Sequence, residues 1–124
     1  MMILLQILLH LSLLSLVSSS ECPAGKYSSG GATACNECIP GTYAATSGAT
    51  ACVNCAAGTY AATSGATVCK QCTEGTFGAE VGMTACVKCA AGKYTDNSGL
   101  SVCMTCPSGK SSKLGASGCG TCPA

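Results

Sequence analysis

Apolar residues crowd the first seventeen positions of the chain and afterwards occur one at a time. Met1 to Val17 reads MMILLQILLHLSLLSLV, and Ser18-Ser19-Ser20 follows before Glu21-Cys22. The block has the length of a signal-peptide core, and Ser18 and Ser20 satisfy the small-residue rule for cleavage after Ser20. It is short for a bilayer span, is interrupted by Gln6 and His10, and has no basic cluster beside it. The pattern therefore predicts a cleaved leader over residues 1–20 rather than an anchor, although its start carries no Lys or Arg. After residue 20 there is no second long apolar stretch, no helical stripe and no extended alternation. Short segments bounded by glycines, such as Thr42 to Ser47, predict brief strands or hairpins, many turns and little helix.

Beyond the leader, regularity comes from a repeat. Units open at Cys22, Cys38, Cys55, Cys72, Cys89 and Cys106 and close at Cys35, Cys52, Cys69, Cys86, Cys103 and Cys119. Each reads C-x2-G-x-(aromatic)-…-G-x3-C, and two residues separate it from the next opening cysteine. The first and last units are one residue shorter. Residues 21–124 thus hold six tandem cysteine-rich repeats of about 17 residues, with the start of a seventh at Cys122-Pro123-Ala124. The first glycine of each unit follows a turn-forming pair, and Pro40-Gly41 suits the central positions of a type II turn. The second glycine (Gly31, Gly48, Gly65, Gly82, Gly99 and Gly115) is expected to turn the chain back toward the closing cysteine. Tyr27, Tyr43, Tyr60, Phe77 and Tyr94 are the one large apolar group of their units, and Ser111 takes that place in the sixth. Each aromatic is expected to lie over the disulfide or the next unit's backbone as a miniature core. The hydroxyl two residues before each closing cysteine (Thr33, Thr50, Thr67, Thr84, Ser101 and Ser117) either bonds local backbone or is solvated. Two neighbouring units share GTYAATSGAT, at Gly41 to Thr50 and Gly58 to Thr67. Such duplication suits an extended array in which each unit touches only its neighbours.

Composition explains why cysteine dominates. Outside the leader large aliphatic residues are few, and the chain has one Phe and no Trp. A core so small does not offset the entropy of ordering the chain, so covalent links must. The chain holds 13 cysteines, above the roughly 8–10% that marks a disulfide scaffold in a short secreted chain. Two pairings fit the spacing, and sequence leaves both open. One joins each opening cysteine to the closing cysteine of its own unit and leaves Cys122 over. The other pairs each C-x2-C and leaves Cys22 over. The first is preferred, because loops of about fifteen residues each contribute roughly 3 kcal/mol in the chain-entropy model. A C-x2-C bridge belongs to redox scaffolds of a kind absent here. Cys122 is read either as the mark of a truncated product or as the site of an intermolecular disulfide.

At this point the units resemble a known family. Cys38-Ile-Pro-Gly-Thr-Tyr43 and Cys22-Pro-Ala-Gly-Lys-Tyr27 are similar to the ephrin-receptor-like cysteine-rich repeat and to the single-disulfide first module of tumour-necrosis-factor-receptor cysteine-rich domains. Tandem repeats of this look also occur in surface antigens of single-celled eukaryotes. The resemblance covers Cys22 to Cys122. It implies a small disulfide-rich fold, an elongated tandem array of short β-hairpin and turn modules bridged within each unit. It also implies a role in display, adhesion or receptor ectodomains.

Candidate chemistry narrows the function further. The only histidine, His10, lies in the leader, so residues 21–124 have no imidazole for base catalysis or metal binding. Glu21, Glu37, Glu74, Glu80 and Asp96 are scattered rather than paired. Gly109-Lys110-Ser111 lacks the first glycine of a phosphate loop. No enzyme activity and no cofactor are expected. Net charge is +1 and arginine is absent, which argues against nucleic acid as a partner. Zinc is the competing reading, because Cys35 and Cys38 with Cys52 and Cys55 stand near zinc-ribbon spacing. The leader favours disulfides over metal, since it points to an oxidising compartment. A second alternative, an ice-binding repeat, lacks the expected file of Thr-x-Thr. The expectation is a secreted or cell-surface structural, adhesive or receptor-ectodomain-like module. It has no stable membrane segment after leader removal, and its partner is an extracellular protein or glycan.

Overall fold

Each first glycine sets a turn, and the turn sets a hairpin. In the second unit Thr42 N donates to Ile39 O at 3.1 Å across Pro40-Gly41, with Gly41 at φ +86°. A type II turn requires that left-handed conformation of its third residue, and only glycine takes it without a Cβ penalty. Thr42 Oγ1 also donates to Ile39 O at 2.8 Å and closes the turn a second time. The same backbone bond recurs in every unit, from Lys26 N to Pro23 O through Lys110 N to Pro107 O.

The computed structural model describes residues 21–30 and 34–123. The leader and the repeat positions Gly31 and Thr33 lie outside the described residues. Twelve two-residue strands form six separate antiparallel hairpins. β1 (Lys26–Tyr27) pairs with β2 (Asn36–Glu37), β3 (Thr42–Tyr43) with β4 (Val53–Asn54), and β5 (Thr59–Tyr60) with β6 (Lys70–Gln71). β7 (Thr76–Phe77) pairs with β8 (Val87–Lys88), β9 (Lys93–Tyr94) with β10 (Met104–Thr105), and β11 (Lys110–Ser111) with β12 (Gly120–Thr121). The returning strand of each hairpin is the pair of residues between two cysteines, which the sequence reading treats as a spacer. No helix occurs among the described residues. The fold is a small disulfide-rich tandem array of hairpins.

Hairpins this short are not stable alone, and the main chain joins them. Three backbone hydrogen bonds cross each of the five junctions between units. Between the second and third units, Gly41 N donates to Ala61 O at 2.8 Å, Ala44 N to Ala66 O at 3.1 Å, and Gly65 N to Cys38 O at 2.8 Å. Equivalent residues repeat the set at the other junctions. The stack therefore satisfies polar backbone groups that a two-residue ladder leaves unpaired.

The expectation that each unit touches only its neighbours needs correction. A Cβ added to Gly58 would overlap the carbonyl of Gly99, two units along, standing 2.7 Å from its carbon and closer to its oxygen. Gly25 meets Gly65, Gly41 meets Gly82, and Gly75 meets Gly115 in the same way. Gly92 and Gly109, with no complete unit two further along, have nothing within 4 Å. The first glycine thus serves two ends. It sets the turn, and it lets the backbone of the unit after next approach more closely than any side chain would permit.

The buried residues are small. Cys22, Cys38, Cys55, Cys72 and Cys89 are at most 1% exposed. Beside them lie Ala44, Ala61, Gly78 and Thr95, all at the sixth position after an opening cysteine. Tyr27, Tyr43, Tyr60, Phe77 and Tyr94 are only half-buried. The expectation that the aromatics form a miniature core is corrected in that part alone: sulfur, methyl groups and backbone fill the centre, while Tyr27 and Tyr60 do stand beside the next unit's disulfide.

Candidate functional site

The chemically distinctive feature of this chain is its file of disulfides. Cys22 joins Cys35, Cys38 joins Cys52, Cys55 joins Cys69, Cys72 joins Cys86, Cys89 joins Cys103, and Cys106 joins Cys119. Their Cα atoms stand 5.5–5.8 Å apart, the ordinary span of such a bridge. Each bridge closes the loop around one turn, so the link lies within the unit. The first five opening sulfurs sit at the buried centre, while every closing cysteine is half-exposed. Cys122 is free and exposed. Its backbone N–H donates to Gly109 O at 3.4 Å, the bond that each opening cysteine from Cys38 to Cys106 makes to the unit before it.

Two of the aromatics line grooves between units. Tyr27 lines one with Ile39, Thr42, Ala51 and Cys52 of the next unit. Tyr60 lines the equivalent groove with Thr73, Thr76, Ala85 and Cys86. These two rings therefore stand beside the closing half of the following unit's disulfide. Across its own hairpin, Tyr43 pairs with Val53, Phe77 with Val87, and Tyr94 with Met104. These cross-strand pairs stabilise a short ladder by about 0.2–1 kcal/mol each.

The hydroxyls before the closing cysteines divide from those inside the stack. Thr50, Thr67, Thr84, Ser101 and Ser117 are exposed, which favours the solvated reading. The hydroxyls that do bond backbone sit elsewhere. Thr95 is fully buried, and its Oγ1 donates to Thr76 O of the preceding unit at 3.2 Å. Ser112, one repeat later, donates to Lys93 O at 2.8 Å. A second ladder was also hidden in the spacer dipeptides. The residue before an opening cysteine packs on the second glycine of the following unit: Glu21 on Gly48, Glu37 on Gly65, Asn54 on Gly82, Gln71 on Gly99, and Lys88 on Gly115. Ser64 and Ser98 add hydrogen bonds to Glu37 and Gln71, both at 3.1 Å.

Charged groups lie on the outside. Glu21, Glu37, Glu74, Glu80 and Asp96 are all exposed. One ion pair occurs among the described residues, Lys26 to Glu37 at 3.6 Å, across the β1–β2 hairpin. At that exposure it contributes under about 1 kcal/mol. No group of three or more His, Cys, Asp or Glu among the described residues is placed to hold a metal ion. No helix among them is long and apolar enough to cross a membrane.

Comparison with known proteins addresses the repeat itself. A search of curated proteins gave no match. The profile of the family described as tyrosine-protein kinase ephrin type A/B receptor-like matches three times, at residues 25–72, 41–85 and 58–99. Each match starts on a first glycine and takes in several units, and together they span residues 25–99, more than half of the chain. The turn-setting glycines, the within-unit bridges and the short hairpins occur in register throughout that span, and the chain belongs to the ephrin type A/B receptor-like family of cysteine-rich repeats.

Proposed function

We propose that the protein is a secreted or surface-displayed structural module of receptor-ectodomain type, whose work is to hold a fixed, stacked shape outside the cell. It is not an enzyme. The observation that carries this reading is the site of its stability. Six within-unit bridges and a backbone ladder hold the units together, and among the described residues the largest fully buried side chains are five cysteines and one threonine. Such a fold needs an oxidising compartment, and the apolar block over residues 1–20 supplies a route to one. The family's receptor-ectodomain character agrees with this placement. The scattered exposed carboxylates and the lack of histidine after residue 20 support a non-catalytic role.

The test expresses the whole chain in a eukaryotic secretory host and in its cytosol, then alkylates denatured protein without reductant. Material from the medium should start at Glu21 and take up one alkyl group, on Cys122. Retention in the cytosol with nearly all thiols free, or with bound zinc, overturns the reading.

A further inference from the structure

Charge is unevenly distributed along the stack. Between Lys88 and Lys113 the chain carries four lysines, Lys88, Lys93, Lys110 and Lys113, against one carboxylate, Asp96. All four lysines are exposed. None takes part in an ion pair among the described residues, where the single pair is Lys26 with Glu37. Asp96 accepts a hydrogen bond from Asn97 at 3.0 Å.

The fold brings the Lys88 stem and the Lys93 backbone to the loop at 112–115, which carries Lys113. The stem of Lys88 lies against Gly115: a Cβ there would stand 3.3 Å from Lys88 Cδ. Ser112 Oγ donates to Lys93 O at 2.8 Å, and Gly92 N donates to Ser112 O at 3.0 Å. Lys113 lies between Ser112 and Gly115. Lys93 and Lys110 hold the same position in successive hairpins, the first residue of β9 and of β11. Lys93 and Lys110 thus stand one repeat apart, with Lys88 and Lys113 at the loop beside them, and none of the four is neutralised by an ion pair among the described residues.

We propose that this flank, from β8 to the 112–115 loop of the sixth unit, binds a sulfated polysaccharide. The inference rests on the extracellular reading above. A linear polymer with repeated anionic groups can meet exposed lysines from successive units at once, and the gain is electrostatic and comes with counterion release. Single-stranded nucleic acid would want a series of aromatic platforms, and this flank offers only Tyr94, since the sixth unit has Ser111 in that place.

The experiment applies purified, oxidised protein to immobilised heparin and to neutral dextran, and in parallel to phosphatidylserine–phosphatidylcholine vesicles. Heparin should retain it and dextran should not, with affinity falling roughly tenfold or more between about 50 and 150 mM salt. K110Q/K113Q should weaken retention by about tenfold. K26Q/K70Q, which removes the same net charge elsewhere, should leave retention within about twofold. Far-UV spectra of both variants verify that the fold is kept. No retention at low salt, equal losses in the two variants, or binding to vesicles but not to heparin each overturns the proposal. Secretion and thiol state do not enter this assay, so its failure stands apart from failure of the extracellular reading.

Discussion

Replacing Gly58 with Ala tests whether contact between units two apart holds the stack together. Gly58 has φ +84°, and an added Cβ would collide with the Gly99 carbonyl. Gly92 has φ +82° and nothing within 4 Å. Both glycines donate their N–H to the next unit, Gly58 to Gly78 O at 2.8 Å and Gly92 to Ser112 O at 3.0 Å. An alanine at either site takes a left-handed conformation at a cost of roughly 1–2 kcal/mol. Only at Gly58 must backbone also move apart, and overpacking of this kind costs about 1–3 kcal/mol more. Gly58→Ala should therefore lose about 2–5 kcal/mol and Gly92→Ala about 1–2. For a domain near 100 residues each kcal/mol lowers Tm by roughly 4–8 °C, so the two variants should separate clearly. The assay is thermal and guanidinium unfolding of the oxidised proteins, followed by far-UV circular dichroism. Losses equal within about 0.5 kcal/mol would refute the reasoning, since conformation alone would then account for both.

Gly78→Ala should behave differently from Gly58→Ala and stay within about 1 kcal/mol of the parent. Ala44 and Ala61 hold a methyl at the same repeat position, although neighbours at 3.1–3.2 Å must give slightly; a loss as large as that of Gly58→Ala in the same unfolding assay would contradict this. Thr95→Val should cost about 1–3 kcal/mol, because it strands Thr76 O beside a fully buried side chain. Ser112→Ala should cost less than Thr95→Val, since Ser112 is only half-buried and water can replace its bond; a reversed order would refute the account. Complete reduction should abolish native amide dispersion in NMR spectra, each bridge being worth roughly 3 kcal/mol. Native spectra after verified reduction would show that the backbone ladder suffices alone.

Much of this architecture is legible because its causes are local. A glycine at φ +86° after Pro40 is written in the dipeptide itself, and the cysteine period fixes the number of units without regard to the rest of the fold. The partner strands were not legible. Val53–Asn54 and its equivalents are two residues long, too short for any alternation to reveal a strand. The approach of Gly58 to Gly99 leaves no mark either, because a glycine that makes room for backbone looks like a glycine that turns a corner. The unequal burial of the two sulfurs in a bridge is likewise invisible, since an opening and a closing cysteine are the same residue. The aromatics mislead for a related reason. Rings are the largest apolar groups in each unit, yet the centre of the stack has space only for sulfur and methyl. Lys88 and Lys113 stand 25 residues apart in sequence, and their nearness shows only once the Lys88 stem is seen against Gly115.

The glycine-to-carbonyl approach also governs how such a protein can change its length. Both partners are backbone atoms, and the same contact recurs from Gly25, Gly41, Gly58 and Gly75 to the unit after next, so gain or loss of one whole unit substitutes one equivalent neighbour for another and creates no mismatch. The shared decapeptide of the second and third units is what such a step would leave behind. Evolution, or an engineer, can therefore adjust reach in increments of one repeat, as links are added to a chain, while side-chain identities on the outer surface drift freely.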